Sequence, residues 1–123
     1  DCYKQIAEIR SLDDYKRVCL SMEETYGPLP PETLNLLIIA VLKSYAAPFR
    51  VKKISVGRKG GALTFASLDA LASEGLSAAM EKYRGAVGLD MTSAPVITFR
   101  SQGDGGKTMV LMTKFLKFAR SFT

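Results

Sequence analysis

The chain contains no histidine and no tryptophan, and only two cysteines among its 123 residues. Without histidine, neither a Ser-His-Asp triad nor a Cys-His pair can form, and the commonest general acid–base group near neutral pH is missing. Structural zinc takes four Cys or His ligands, so Cys2 and Cys19 cannot make such a site. Two thiols without metal-ligand spacing read as buried, reduced cysteines of a reducing compartment, here the cytoplasm, with a Cys2–Cys19 disulfide as the alternative. Long apolar runs are absent too. The longest, Leu36–Leu42, falls far short of the roughly 20 residues that span a bilayer, which excludes a membrane-crossing helix. No secretory signal is recognisable, and the sequence opens on Asp1 instead of Met, so it is read as a piece of a longer protein.

Acidic residues are missing from one long stretch. Between Glu32 and Asp69 there is none, while Lys43, Arg50, Lys52, Lys53, Arg58 and Lys59 all fall there. Lys107, Lys114, Lys117 and Arg120 repeat the bias near the C-terminus, and the net charge is +5. Such a cluster is either an electrostatic footprint for nucleic acid or a solvated positive face. Arg50, Lys52, Lys53, Arg58 and Lys59 are the candidate nucleic-acid face. The length, with 47% hydrophobic and 24% charged residues, fits one soluble globular domain over residues 1–123.

Tyr26 to Ala47 organises the chain. Gly27 can close a preceding helix, and Pro28, Pro30 and Pro31 make an extended turn. Pro31 suits the first position of a new helix, with Glu32 favourably placed against its dipole. Leu34, Leu37, Ile38 and Val41 form one apolar stripe, and Leu36, Ile39, Ala40 and Leu42 cover much of the remaining surface, so this helix is expected to be buried nearly all round. Before it, Cys2–Arg10 reads as a short helix with Tyr3, Ile6, Ala7 and Arg10 on one face. Ser11 caps a second helix, with Asp13 and Asp14 in its first turn and Leu12, Tyr15, Val18, Cys19, Met22 and Tyr26 at helical spacing.

After Pro48 the period changes. Val51–Val56 and Ala62–Ala66 alternate around the turn Arg58-Lys59-Gly60-Gly61, the pattern of a β-hairpin. Ser67 or Asp69 is expected to cap a fourth helix carrying Leu68, Leu71, Ala72, Leu76, Ala79, Met80 and Tyr83. Gly75 lies inside it, weakening it by about 1 kcal/mol relative to alanine but allowing close packing. Residues 84–93 read as a loop, although Val87, Leu89 and Met91 alternate and suit a short strand. Val96–Arg100 is the better strand, with Pro95 at its start suggesting an edge. A final helix is expected from about Lys107 to Ser121, with Leu111, Met112, Phe115, Phe118, Ala119 and Phe122 facing inward. The class is therefore α+β: three N-terminal helices, a β-hairpin, a helix, short antiparallel strands and a C-terminal helix, with a small antiparallel sheet packed on the helices.

Ser101-Gln-Gly-Asp-Gly-Gly-Lys-Thr imitates a phosphate-binding loop between a strand and a helix. Ser101 stands where the motif needs glycine, and no later strand supplies an acid for magnesium, so a glycine turn is the better reading. Asp13/Asp14 and Glu23/Glu24 are sequence neighbours that do not face each other on a helix. The Tyr and Phe residues fall on apolar stripes and read as core. No cofactor site emerges, and the domain is expected to be non-enzymatic.

Tyr3-Lys4-Gln5-Ile6-Ala7, a helix, Tyr26-Gly27-Pro28-Leu29-Pro30 and a leucine-rich helix ending near Lys43 together resemble the C-terminal domain of bacterial transcription-repair coupling factors (the Mfd family). Lys59-Gly60-Gly61…Phe65 resembles that family's hairpin. The resemblance covers nearly the whole chain, by residues in the first two-thirds and by pattern after Ala66. It implies a parent protein that is a large ATP-driven DNA translocase, which displaces RNA polymerase stalled at damage and helps to recruit UvrA for excision repair. The motor lies outside this stretch. The C-terminal domain is, by resemblance, regulatory: it packs on the N-terminal UvrB-like module, covers the UvrA-binding surface and restrains the motor. The resemblance places an acidic contact at the end of the second helix, which here carries Glu23 and Glu24, followed by Tyr26. The family often has an acid where this chain has Ser21, and an arginine where it has Thr25, so one carboxylate of the expected pair is missing.

Overall fold

In the computed structural model, which describes residues 2–122, local chemistry sets the start of the second and third helices. Helix α1 covers Cys2–Ala7 and α2 covers Leu12–Tyr26. The Ser11 hydroxyl accepts from the Asp14 N–H at 3.1 Å, satisfying one of the free amides of the first turn of α2. Helix α3, Pro31–Ala46, begins with proline at its first position, where the missing N–H costs nothing. A 3-10 turn over Ala47–Phe49 carries the chain into the hairpin β1, Val51–Gly57, and β2, Gly60–Phe65. Then come α4, Glu74–Lys82; β3, Val87–Asp90; β4, Val96–Arg100; and α5, Gly105–Arg120. Expectations that rest on the side chains of Cys2 and Tyr3, including the disulfide, lie outside the described residues.

The four strands form one antiparallel sheet in the order β1-β2-β4-β3. Along each strand, alternate residues turn to the helices. Ile54, Val56, Leu63, Phe65, Ile97 and Phe99 pack into the core, whereas Lys53, Ser55, Thr64 and Thr98 face away. This is the alternation of an antiparallel sheet covered on one side. Helix α5 crosses the covered face, burying Met112, Phe115, Leu116 and Ala119. Phe99 meets Phe115 edge to face, with ring centroids 5.1 Å apart. Helix α3 packs beside α5 through Leu37, Ile38, Val41 and Leu42.

Four expectations are revised, and the open choice between loop and strand at residues 87–90 is settled. Pro95 does not mark an edge: β4 lies between β2 and β3, and Pro95 precedes the strand, its carbonyl accepting from the Phe65 N–H at 2.9 Å. Residues 87–90 are a strand and form one sheet edge themselves. The fourth helix is broken in two. Leu68–Ala72 is a 3-10 turn, and Ser73, neither Ser67 nor Asp69, caps α4 by accepting from the Leu76 N–H. Helix α3 is not buried all round, because Leu36 remains 59% exposed. On α5, Phe122 lies past the last helical residue and is exposed, while Thr108 and Thr113 are fully buried. Both threonine hydroxyls bond to the carbonyl one turn back, so their burial leaves no unmet polar group.

Candidate partner surface and basic face

The C-terminal end of α2 is fixed on both sides. Gly27 adopts φ 80°, a conformation that suits glycine, and its N–H donates to the Glu23 carbonyl at 2.8 Å. The Thr25 hydroxyl donates to the Ser21 carbonyl at 3.1 Å. Pro28, Pro30 and Pro31 then hold the chain extended into α3. Glu23 and Glu24 are both exposed, and neither is ion-paired among the described residues. Because each helical residue turns by about 100°, the two carboxylates diverge. Glu23 lies over Cys19 and Tyr15, one and two turns back. Its negative charge helps to raise the pKa of both, after burial, which is the largest cause in each case. Glu24 instead lies one turn above Leu20.

Tyr26 does not join the apolar stripe as its spacing suggested. It is 66% exposed and flanks Glu23. Leu20 is 62% exposed beside Glu24. Sequence reasoning missed Leu20, although a signal existed: it falls off the stripe of Leu12, Tyr15, Val18, Cys19 and Met22, and an apolar residue off the buried stripe of a helix is a solvated one. The end of α2 thus presents two carboxylates, a leucine and a tyrosine on a rigid helix terminus.

The basic residues are not all brought together. Arg50 has φ 56° and lines a groove with Pro48, Phe49, Asp69 and Ala70, which puts an acid beside it. Lys52 and Lys53 line a different groove, of about 490 Å³, between α3 and β1, where Lys43 joins them from the last turn of α3. Arg58 and Lys59 form the hairpin tip. The phosphate-loop imitation is occupied by its own residues. The Asp104 carboxylate accepts from the Lys107 N–H at 2.8 Å, where a phosphate would sit, and the Thr108 hydroxyl accepts from the Gln102 N–H at 3.1 Å. Among the described residues no group of acids and cysteines is arranged to hold a metal ion, and no helix is long and apolar enough to cross a membrane.

The profile of the TRCF domain family matches residues 1–76. The chain belongs to the TRCF domain family. The matched stretch runs from α1 to the first turn of α4 and includes the α2 terminus, the proline turn, α3 and the hairpin. Beyond it, the fold carries the likeness onward. The chain is similar to a solved structure described as the C-terminal domain of transcription-repair coupling factor, with a TM-score of 0.69 and 16% identity over 99% of this chain and 81% of that one. No curated protein sequence matches it. Family membership ties this TRCF domain to transcription-repair coupling in DNA repair.

Proposed function

We propose that this TRCF domain is a non-catalytic, autoinhibitory interaction module. On this reading it packs on the UvrB-like module of the same parent protein, masks the surface that recruits UvrA, and restrains an ATP-dependent DNA translocase that displaces stalled RNA polymerase. The domain itself supplies no catalytic group and needs no cofactor; polymerase, UvrA and the DNA along which the motor moves are reached through the parent. The observation that carries the reading is the α2 terminus, where Glu23 and Glu24 stand exposed and without ion pairs between Leu20 and Tyr26. Exposed carboxylates beside apolar anchors suit a basic partner surface. The charges give specificity and encounter rate, and the apolar side chains give buried area. With Ser21 and Thr25 in place of a further acid and an arginine, the contact is modest and sensitive to salt, as a releasable restraint requires.

The test is calorimetric titration of the domain with the UvrB-like module of its parent at two salt concentrations. Saturable binding that weakens with salt is expected, and Glu24→Arg should lower the affinity about tenfold, or about 1.4 kcal/mol. An unchanged affinity in Glu23→Arg/Glu24→Arg would remove the site assignment.

A further inference from the structure

We propose a second interaction surface, distinct from the α2 terminus: a phosphate-binding groove between α3 and β1 that holds the backbone of duplex DNA without regard to sequence. The structure brings Lys43 of α3 to Lys52 and Lys53 of β1 across one groove floored by Ile39, Ala46 and Val51. All three lysines are exposed, and none is ion-paired among the described residues. No acid lines the groove. Arg58 and Lys59 continue the row at the hairpin tip, about 17 Å along the strand from Lys53.

The bulge in β1 explains the pairing of adjacent lysines. Val51 pairs with Phe65 and Lys53 with Thr64, so Lys52 is an extra residue in the ladder. Lys52 is thereby released from strict alternation, and both neighbours are exposed at the rim of the groove. Strand β1 is a sheet edge, yet a bulge and lysines on an edge disfavour addition of another strand. The surface is built to meet charge, not a peptide backbone. The aromatics nearest in sequence, Tyr45, Phe49 and Phe65, are buried, so no base-stacking platform is available. Charge without stacking favours the regularly spaced phosphates of a duplex over a single strand. Lys43 lies twelve residues along α3 from Pro31, about 18 Å from the start of that helix, so the groove and the α2 terminus are separate surfaces.

The experiment is fluorescence anisotropy of a short labelled duplex titrated with the 123-residue chain between about 25 and 200 mM salt. Five phosphate contacts give a slope of log affinity against log salt near −4.5, at about 0.9 per phosphate. In Lys43→Gln/Lys52→Gln/Lys53→Gln the slope should become shallower by about 2.7. The equal-charge control Lys16→Gln/Lys114→Gln/Lys117→Gln should keep the slope of the wild type. Melting temperatures establish that both variants are folded, since all six lysines are exposed. A single strand of the same length should bind more weakly than the duplex. The proposal is overturned if the duplex fails to bind at the lowest salt, if both triple variants lose slope equally, if the single strand binds more tightly, or if a polyglutamate peptide binds through the three lysines while DNA does not.

Discussion

Replacing Gly75 with alanine should destabilise the domain, against the trend expected inside a helix. Gly75 is the second residue of α4, and it faces the last turns of α5. A methyl group built there overlaps the carbonyl oxygen of Ala119 and lies 2.9 Å from its carbonyl carbon. The obstacle is backbone, which cannot rotate aside as a long side chain can. Helix α4 must therefore retreat from α5 by about 1 Å, and a gap of that size forfeits up to about half of each contact energy along the seam. Leu76 and Ala79, fully buried next to Gly75, lose packing in the process. Overpacking of this kind costs about 1–3 kcal/mol and the loosened seam adds to it, while the helix propensity of alanine returns at most about 1 kcal/mol. The expected net loss is about 2 kcal/mol, or a fall in Tm of about 8 °C for a domain of 123 residues. Urea and thermal unfolding followed by circular dichroism measure it. Gly85→Ala is the control, because nothing lies within 4 Å of a methyl group there and its φ is not positive. The control should be neutral or slightly stabilising, through a less flexible unfolded chain. If Gly75→Ala is as stable as the wild type, the close approach of α4 to α5 is refuted.

Thr108→Val keeps the shape of a fully buried side chain but removes the acceptor of the Gln102 N–H, so a loss of about 1–3 kcal/mol in urea unfolding is expected, together with faster amide exchange at Gln102. Because the Asp104 carboxylate already occupies the N-terminus of α5, ATP with magnesium should leave the melting temperature of the wild type unchanged; a dose-dependent rise would revive the nucleotide reading. The Cys19 thiol, raised above its ordinary value of 9.0 by burial and by Glu23 against a lowering hydrogen bond with Tyr15, should react more slowly with a disulfide reagent at pH 8 than a free thiol does, measured in a Cys2→Ser background. Its folded pKa lies above the unfolded one, so its contribution to stability is complete below about pH 9 and is lost as pH rises through the folded value. Glu23→Gln should speed the labelling of Cys19, and no change would mean that the Glu23 charge does not reach it.

Much of this domain could be read from residue order. Ser11, Gly27 and the proline turn punctuate the first three helices because capping and φ restriction are local effects, acting within a few residues. The hairpin was legible for the same reason, as alternation and turn chemistry lie in one short stretch. The family resemblance rested on these same local features, and the matched profile ends at residue 76, soon after them. Glu23 and Glu24 were found by position in that pattern; Glu24 lies off the apolar stripe, whereas Glu23 follows Tyr15 and Cys19 along its edge and is exposed at the end of the helix.

Only the tertiary structure decided the rest. The place of β4 inside the sheet depends on β3 pairing with it, a contact between segments whose own patterns were equally compatible with a loop and an edge strand. The break at Ser73 arises where the chain must turn from the sheet to bring Gly75 against Ala119, and no periodicity within residues 68–83 records that approach. The division of the basic residues has the same origin. Six cations without an intervening acid look alike along the chain, but the left-handed turn at Arg50 sends it toward Asp69, while the packing of α3 beside β1 delivers Lys43 to Lys52 and Lys53. Local conformational preference is written in neighbouring residues, whereas the meeting of distant ones is set by how the buried faces of the helices and the sheet fit together.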